Sequence, residues 1–137
     1  MSFPILMHTA IDATDVRGLA EFYRRFLGLR YRPGDEPPAE GPDDEGWLVL
    51  VDDAGNRVIA VNHVRELAPA TWPSDEVPKQ MHLDFRVRDV EELEVQRQRA
   101  EELGATVRYD RTADEGEPLY VLADPAGHPF CLLVAGH

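Results

Sequence analysis

The chain has 137 residues, enough for one compact domain or two small intertwined halves, which excludes a multidomain machine. Its 43% hydrophobic and 29% charged residues provide the apolar area for a core, so a disordered chain is excluded as well. Acidic side chains number 26 against 14 basic ones, a formal charge of −12, and a phosphate backbone is held by clustered Lys and Arg, so nucleic acid is excluded as a partner.

The first predicted element is a strand from Ile5 to Ala13. Its apolar start is shorter than a signal-peptide core and lacks a basic leader. Nowhere do about 18 apolar residues run together, so no membrane span is expected. A single cysteine, Cys131, fits a reducing compartment, and the cytoplasm is the expected location. Next, Val16, Leu19, Ala20, Tyr23, Phe26 and Leu27 recur at helical spacing, and Gly28 ends that helix because glycine readily takes the left-handed conformation past a C-terminus. Short strands follow at about Arg30–Arg32, Trp47–Val51 and Arg57–Val64, the last two joined by a hairpin turn at Asp52–Asn56. From Pro33 to Gly46 the chain is acidic and rich in Pro and Gly, a long solvated loop or a lid. Residues 65–79 contain Pro69, Pro73 and Pro78 and read as a linker.

Beyond the linker the same order returns. A strand at Met81–Val87 precedes a helix that Asp89 caps, with Glu92 three residues on as in a capping box. Its stripe is Val90, Leu93, Arg97, Ala100 and Leu103, and Gly104 closes it. Strands at Ala105–Asp110, Leu119–Ala123 and Pro129–Val134 complete the chain, with a turn at Asp124–His128. The two halves align at an offset of 74 residues: His8 meets His82, Asp15 meets Asp89, Val16 meets Val90 and Leu19 meets Leu93. Residues 1–64 and 80–137 are therefore two β-α-β-β-β modules.

Phe22-Tyr23 followed by Phe26-Leu27-Gly28, the two histidine strands, and Asp124-Pro125-Ala126-Gly127-His128-Pro129-Phe130 resemble the vicinal oxygen chelate superfamily, which includes glyoxalase I, bleomycin-resistance proteins and extradiol dioxygenases. The resemblance covers nearly the whole chain. It implies an α+β fold in which tandem modules form a curved mixed-sheet cleft, and a homodimer. In metal-using members four inward side chains hold a divalent ion, such as zinc, iron, nickel or manganese. By position His8 and His82 match the histidine ligands, while Cys131 and either Ile59 or Ala60 stand where carboxylates are usual.

Strand alternation independently places His82, Asp84 and Arg86 on one face, with Leu83, Phe85 and Val87 on the other. The same rule groups His8, Ala10 and Asp12, and then Cys131 with Leu133. As metal ligands, His8 and His82 with Cys131 make a three-ligand open site; the bland alternative is a pair of histidines hydrogen-bonded to Asp12, Asp84 or a ligand. Asp84, or Asp12 in the first module, is the candidate general base; alternatively such an aspartate orients an imidazole or pairs with Arg86. Trp47, Asn62, Asp84 and Arg86 are the candidate ligand-binding residues, with Trp47 supplying flat apolar contact. Trp72 is expected at a seam between modules or subunits, and His128 and His137 without a specific role. Three functions follow: binding a small organic molecule in the cleft; a metal-dependent lyase, isomerase or dioxygenase; or a non-catalytic accessory subunit.

Overall fold

The computed structural model describes residues 2–134, so His137 lies outside the described residues. The chain divides into two compact units, Met1–Leu67 and Ala68–His137. Residues 68–79, read from sequence as linker, belong to the second unit.

In the first unit β1 (Thr9–Ala13), α1 (Val16–Leu27), β2 (Arg30–Tyr31), β3 (Trp47–Val51) and β4 (Arg57–His63) follow in order. The strands form one sheet in the order β1-β4-β3-β2, with β1 parallel to β4 and the other pairs antiparallel. The first strand starts at Thr9 and not at Ile5: Phe3, Ile5 and Leu6 are exposed, and only from Thr9 does the backbone find β4 as a ladder partner. Asp15 caps α1 by accepting from the Gly18 amide at 3.0 Å, and Gly28 closes it at φ 67°. One side of the sheet carries Leu48, Leu50, Ile59 and Val61, and α1 contributes Leu19, Ala20, Tyr23 and Phe26, all buried. Each such leucine stabilises the unit by about 1.5–3 kcal/mol.

The loop from Pro33 to Gly46 is tied down more than its composition suggests. Asp35 is 9% exposed; its carboxylate accepts from the Val49 amide at 2.9 Å and from the Arg32 Nε at 3.1 Å. Arg17 on α1 donates to the Asp35 carbonyl and to Asp43, each at 2.6 Å. Asp35→Ala leaves the Val49 amide without its acceptor and is expected to cost about 1–2 kcal/mol. A urea midpoint together with faster protease cleavage in residues 33–46 checks it; unchanged cleavage refutes the anchoring role.

The second unit repeats the plan with β5 (Leu83–Val87), α2 (Val90–Glu102), β6 (Thr106–Asp110), β7 (Leu119–Ala123) and β8 (Pro129–Val134), in the sheet order β5-β8-β7-β6. Again the strand starts late, at Leu83, leaving Met81 exposed. The 74-residue offset holds from β1 to β5 and from α1 to α2, since 9 + 74 = 83 and 16 + 74 = 90. Asp89 accepts from the Glu92 amide at 2.8 Å, while Glu92 reaches back one residue further than a capping box requires, to the Arg88 amide. The α2 stripe is narrower than its spacing predicts: Leu93 and Ala100 are buried, Val90 is exposed, and Arg97 turns to Glu94 and Glu101. The core is instead filled from the sheet by Leu122, Phe130 and Leu132, with Phe85 edge-on to Phe130 at 5.7 Å.

Candidate functional site

Strand alternation leaves one face of each sheet without a helix, and the polar side chains singled out by sequence stand there. In the second unit Asp84 and Arg86 are exposed on β5, while Leu83, Phe85 and Val87 turn to the helix side. His82 immediately precedes the strand, and its Nε2 lies 3.2 Å from the Asp84 carboxylate. Because β8 runs parallel to β5 with Cys131 opposite Asp84, the thiol sits beside that carboxylate. One donor atom from each of His82, Asp84 and Cys131 lies within 4.8 Å of the others. Burial pushes the Cys131 thiol up to about 11, with its hydrogen bond to Asp84 adding to the effect.

An apolar wall adjoins this group. Cys131 pairs with Val121 and Val121 with Tyr109, and Leu119, Val121 and Cys131 form a buried cluster against which Trp72 and Leu133 pack. Trp72 meets Tyr109 edge-on at 5.7 Å, and the Lys79 ammonium sits 4.7 Å from the Trp72 ring centre. Trp72, expected at a seam, thus packs on the second unit's own sheet. Nothing local in the sequence marks it, since the segment carrying it has no periodicity. Arg86 is exposed on the same face as Asp84 and has no ion-pair partner among the described residues.

The first unit's corresponding face is different. His8 lies just before β1, its ring 5.7 Å from Trp47 at an interplanar angle of 57°, and its Nδ1 is buried without a hydrogen-bond partner among the described residues. Asn62, expected to meet a ligand, donates to Asp12 at 3.1 Å, and Trp47 is 36% exposed. Strand pairing also decides between Ile59 and Ala60. Asp84 sits opposite Cys131; its counterpart at 84 − 74 = 10 is Ala10, which sits opposite Ala60. The first unit therefore offers His8, Ala10 and Ala60 where the second offers His82, Asp84 and Cys131.

Among the described residues the metal-competent grouping is His82, Asp84 and Cys131, which contains Asp84, expected as a base, and does not contain His8. Donors about 2.0–2.3 Å from one ion are at most about 4.5 Å apart, so small side-chain rotations suffice and the set fits a divalent ion. His128, in the turn that Asp124 organises, stands apart from the grouping.

Two β-α-β-β-β modules, each with a histidine just ahead of its opening strand, define the vicinal oxygen chelate architecture, and an α+β fold of two mixed four-stranded sheets is what the chain adopts. The chain belongs to the glyoxalase-like domain family, whose model matches residues 8–133. A search among curated proteins finds no match. Among solved structures, fosfomycin resistance protein FosX from Listeria monocytogenes is similar at a TM-score of 0.68 and 16% identity, covering 98% of this chain and 95% of that one. A glyoxalase/bleomycin resistance protein/dioxygenase family enzyme from Burkholderia phytofirmans PsJN aligns at 0.65 and 17% identity, covering 94% and 97%. TnmS3, an antibiotic binding protein from Streptomyces sp. CB03234, aligns at 0.56 and 19% identity, covering 99% of each chain. At these identities the likeness is one of fold. No helix among the described residues is long and apolar enough to cross a membrane.

Proposed function

We propose that the protein binds a small organic molecule on the helix-free face of its second module, with His82, Asp84 and Arg86 as polar contacts and Trp72 and Tyr109 as the apolar wall. The observation that carries this reading is the juxtaposition of an imidazole, a carboxylate and a buried thiol with an aromatic pair. Binding sites combine a few convergent polar groups with apolar area in this way. Arg86 and Lys79 favour an anionic group on the ligand, held by Arg86 as a planar fork. Trp47 and His8 offer a second aromatic contact within the first module.

Tryptophan emission titrated with a panel of aromatic acids, phosphonates including fosfomycin, and glycopeptide antibiotics tests this. Trp72→Phe is expected to remove most of the response, and Arg86→Ala to weaken binding of anionic members by about tenfold, the loss of one charge-assisted contact. Silence across the panel favours the accessory subunit instead.

The grouping of three donor side chains supports a second reading, a metal-dependent lyase, isomerase or dioxygenase. A divalent ion bound there would polarise substrate oxygens as a Lewis acid. In that setting His82, Asp84 and Cys131 would hold the ion, Arg86 would hold the substrate's anionic end, and the Leu119–Val121–Trp72 wall would exclude water. We also place the protein in the cytoplasm as a homodimer; exposed Phe3, Ile5, Leu6 and Met7 supply apolar area for a partner, and sedimentation measures it.

A further inference from the structure

We propose that the first module carries a binding site of its own, at the outer edge of its sheet, for a small zwitterion with an apolar body: an α-amino acid or dipeptide with an aromatic or aliphatic side chain. The site shares no residue with the helix-free face of the second module and stands whether or not that face binds a ligand.

The starting observation is a cavity of about 610 Å³ bounded by the C-terminal half of α1, strand β2, the start of the 33–46 loop and the turn at Gly55. Its size falls within the range of small-molecule sites. Strand β2 is last in the sheet order and has no ladder partner beyond it. The apolar lining is the Tyr31 ring with Pro33, Pro37 and Val51, and four charged side chains, Glu21, Arg24, Arg30 and Glu36, border the same space. What each of these has left to offer decides the ligand. Glu21 is fully engaged, by Arg24 Nε at 2.7 Å and Nη2 at 2.9 Å and by the Tyr31 hydroxyl at 2.6 Å. Arg24 keeps its Nη1 donors, since a guanidinium carries five N–H groups. Arg30 donates Nη2 to the Asp53 carbonyl at 3.0 Å, and its Nε lies 4.0 Å from a carboxylate that is 96% exposed, a pairing that water screens. Glu36 accepts from the Gly34 amide at 2.8 Å through one oxygen and has no ion-pair partner among the described residues. Two guanidinium groups and one carboxylate thus have capacity left beside an apolar surface. A molecule that joins a carboxylate and an ammonium to an apolar side chain answers all three, whereas a simple anion is opposed by Glu36 and a simple cation by the two arginines.

The walls are held before any ligand arrives. The Tyr31 ring is clamped through its hydroxyl and by the Arg17 guanidinium, 4.9 Å from its centre. Buried Asp35, anchored on the Val49 amide at 2.9 Å, fixes the chain that carries Glu36 and Pro37. A preformed wall lowers the ordering cost of binding. The duplicated module serves as an internal comparison. Val107 stands opposite Leu122 where Tyr31 stands opposite Leu50, and Thr106 opposite Ala123 where Arg30 stands opposite Val51. At the 74-residue offset Glu21 and Arg24 have Val95 and Gln98 as counterparts. The connection that supplies Pro33, Glu36 and Pro37, residues 32–46, is replaced by the shorter 111–118. The lining belongs to the first module and is no by-product of the repeated fold.

Titration of the ¹⁵N-labelled full chain with L-phenylalanine and with L-leucyl-L-phenylalanine, followed by amide chemical shifts, tests this. Expected is saturable binding, with a dissociation constant of about 1 mM or below for the better probe. The shifts should centre on residues 30–37 and 51–55 and leave 82–86 in place. Which probe binds more tightly separates the free amino acid from the dipeptide as the source of the ligand. 3-Phenylpropionate, which lacks the ammonium, and 2-phenylethylamine, which lacks the carboxylate, should each bind about tenfold more weakly than L-phenylalanine. Glu36→Gln should erase the preference over phenylpropionate and Arg30→Ala should reduce the preference over phenylethylamine; both side chains are exposed, so neither change threatens the fold. Absence of saturable shifts with both probes up to about 10 mM, shifts centred on 82–86, or equal affinity for L-phenylalanine and phenylpropionate overturns the proposal. Shifts that aromatic acids produce at 82–86 are scored separately, as evidence on the second module alone.

Discussion

Gly127→Ala is expected to destabilise the protein by about 3–4 kcal/mol, while Gly55→Ala, at the matching turn of the other module, costs about 1–2 kcal/mol. Both glycines have positive φ, 94° and 87°, so both substitutions carry the backbone penalty of the left-handed region. The turns are near copies: Gly55 donates to the Asp52 carbonyl and Gly127 to that of Asp124, and each aspartate's side chain accepts from two later amides. What differs is the space above them. A Cβ at Gly55 meets nothing within 4 Å, whereas one at Gly127 would sit 2.4 Å from the Pro69 Cβ and 3.0 Å from its Cα. A proline ring and its own backbone cannot swing aside as a long side chain does, so the 68–79 segment or the turn must move. That segment carries Trp72, so a blue-to-red change in tryptophan emission should accompany the loss in Gly127→Ala and be missing from Gly55→Ala. Equal denaturation midpoints for the two variants would sink this account.

The same comparison shows what the sequence made legible. Helix and strand positions were readable within a few residues because they rest on local features: the periodic stripe of α1, the aspartates ahead of each helix, and the paired turns at Asp52 and Asp124. The face carrying His82, Asp84 and Arg86 was readable for the same reason, since alternation fixes it once the strand is recognised. Pairing partners were not. Asp84 beside Cys131 depends on the register of two strands separated by the whole length of the module, and the sequence left Ile59 and Ala60 undecided for that reason. Trp72 against Tyr109 and Asp35 against the Val49 amide join irregular segments to strands, where no period exists to announce the contact. The strand starts were overestimated in both modules because apolar residues at 5–7 and at Met81 have strand character but no neighbouring strand to pair with.

Charge networks were equally invisible, and one of them yields the second large expected effect. Glu21 on α1 accepts from Arg24 at 2.7 Å and from the Tyr31 hydroxyl at 2.6 Å, and Arg25 lies 3.7 Å away. Arg24 foremost, then Tyr31, hold the Glu21 carboxyl down at about 2 from an ordinary 4.5, against the opposing effect of burial. A depressed carboxyl stabilises the fold above its unfolded value, and that contribution disappears as pH falls from about 4.5 toward 2. With the Glu21 side chain 29% exposed, solvent screening reduces the expected gain to about 2 kcal/mol. Burial first, and Glu21 second, raise the Tyr31 hydroxyl to about 12; a raised group stabilises fully below about 10, and its share is lost between about 10 and 12. Glu21→Gln keeps an acceptor for Tyr31 but removes the charge, so it should cost about 1–2 kcal/mol at pH 7. The gap should narrow steadily as pH falls from about 4.5 toward 2, where the wild-type carboxyl is itself taking up its proton. The second module holds its own pair, Tyr120 donating to Glu94, built from different strand positions, so it contributes equally to wild type and variant and cancels in the difference. Urea midpoints of both proteins across pH 2–7 measure that difference, and a gap that stays constant over the whole range would show that Glu21 acts through packing and not through its charge.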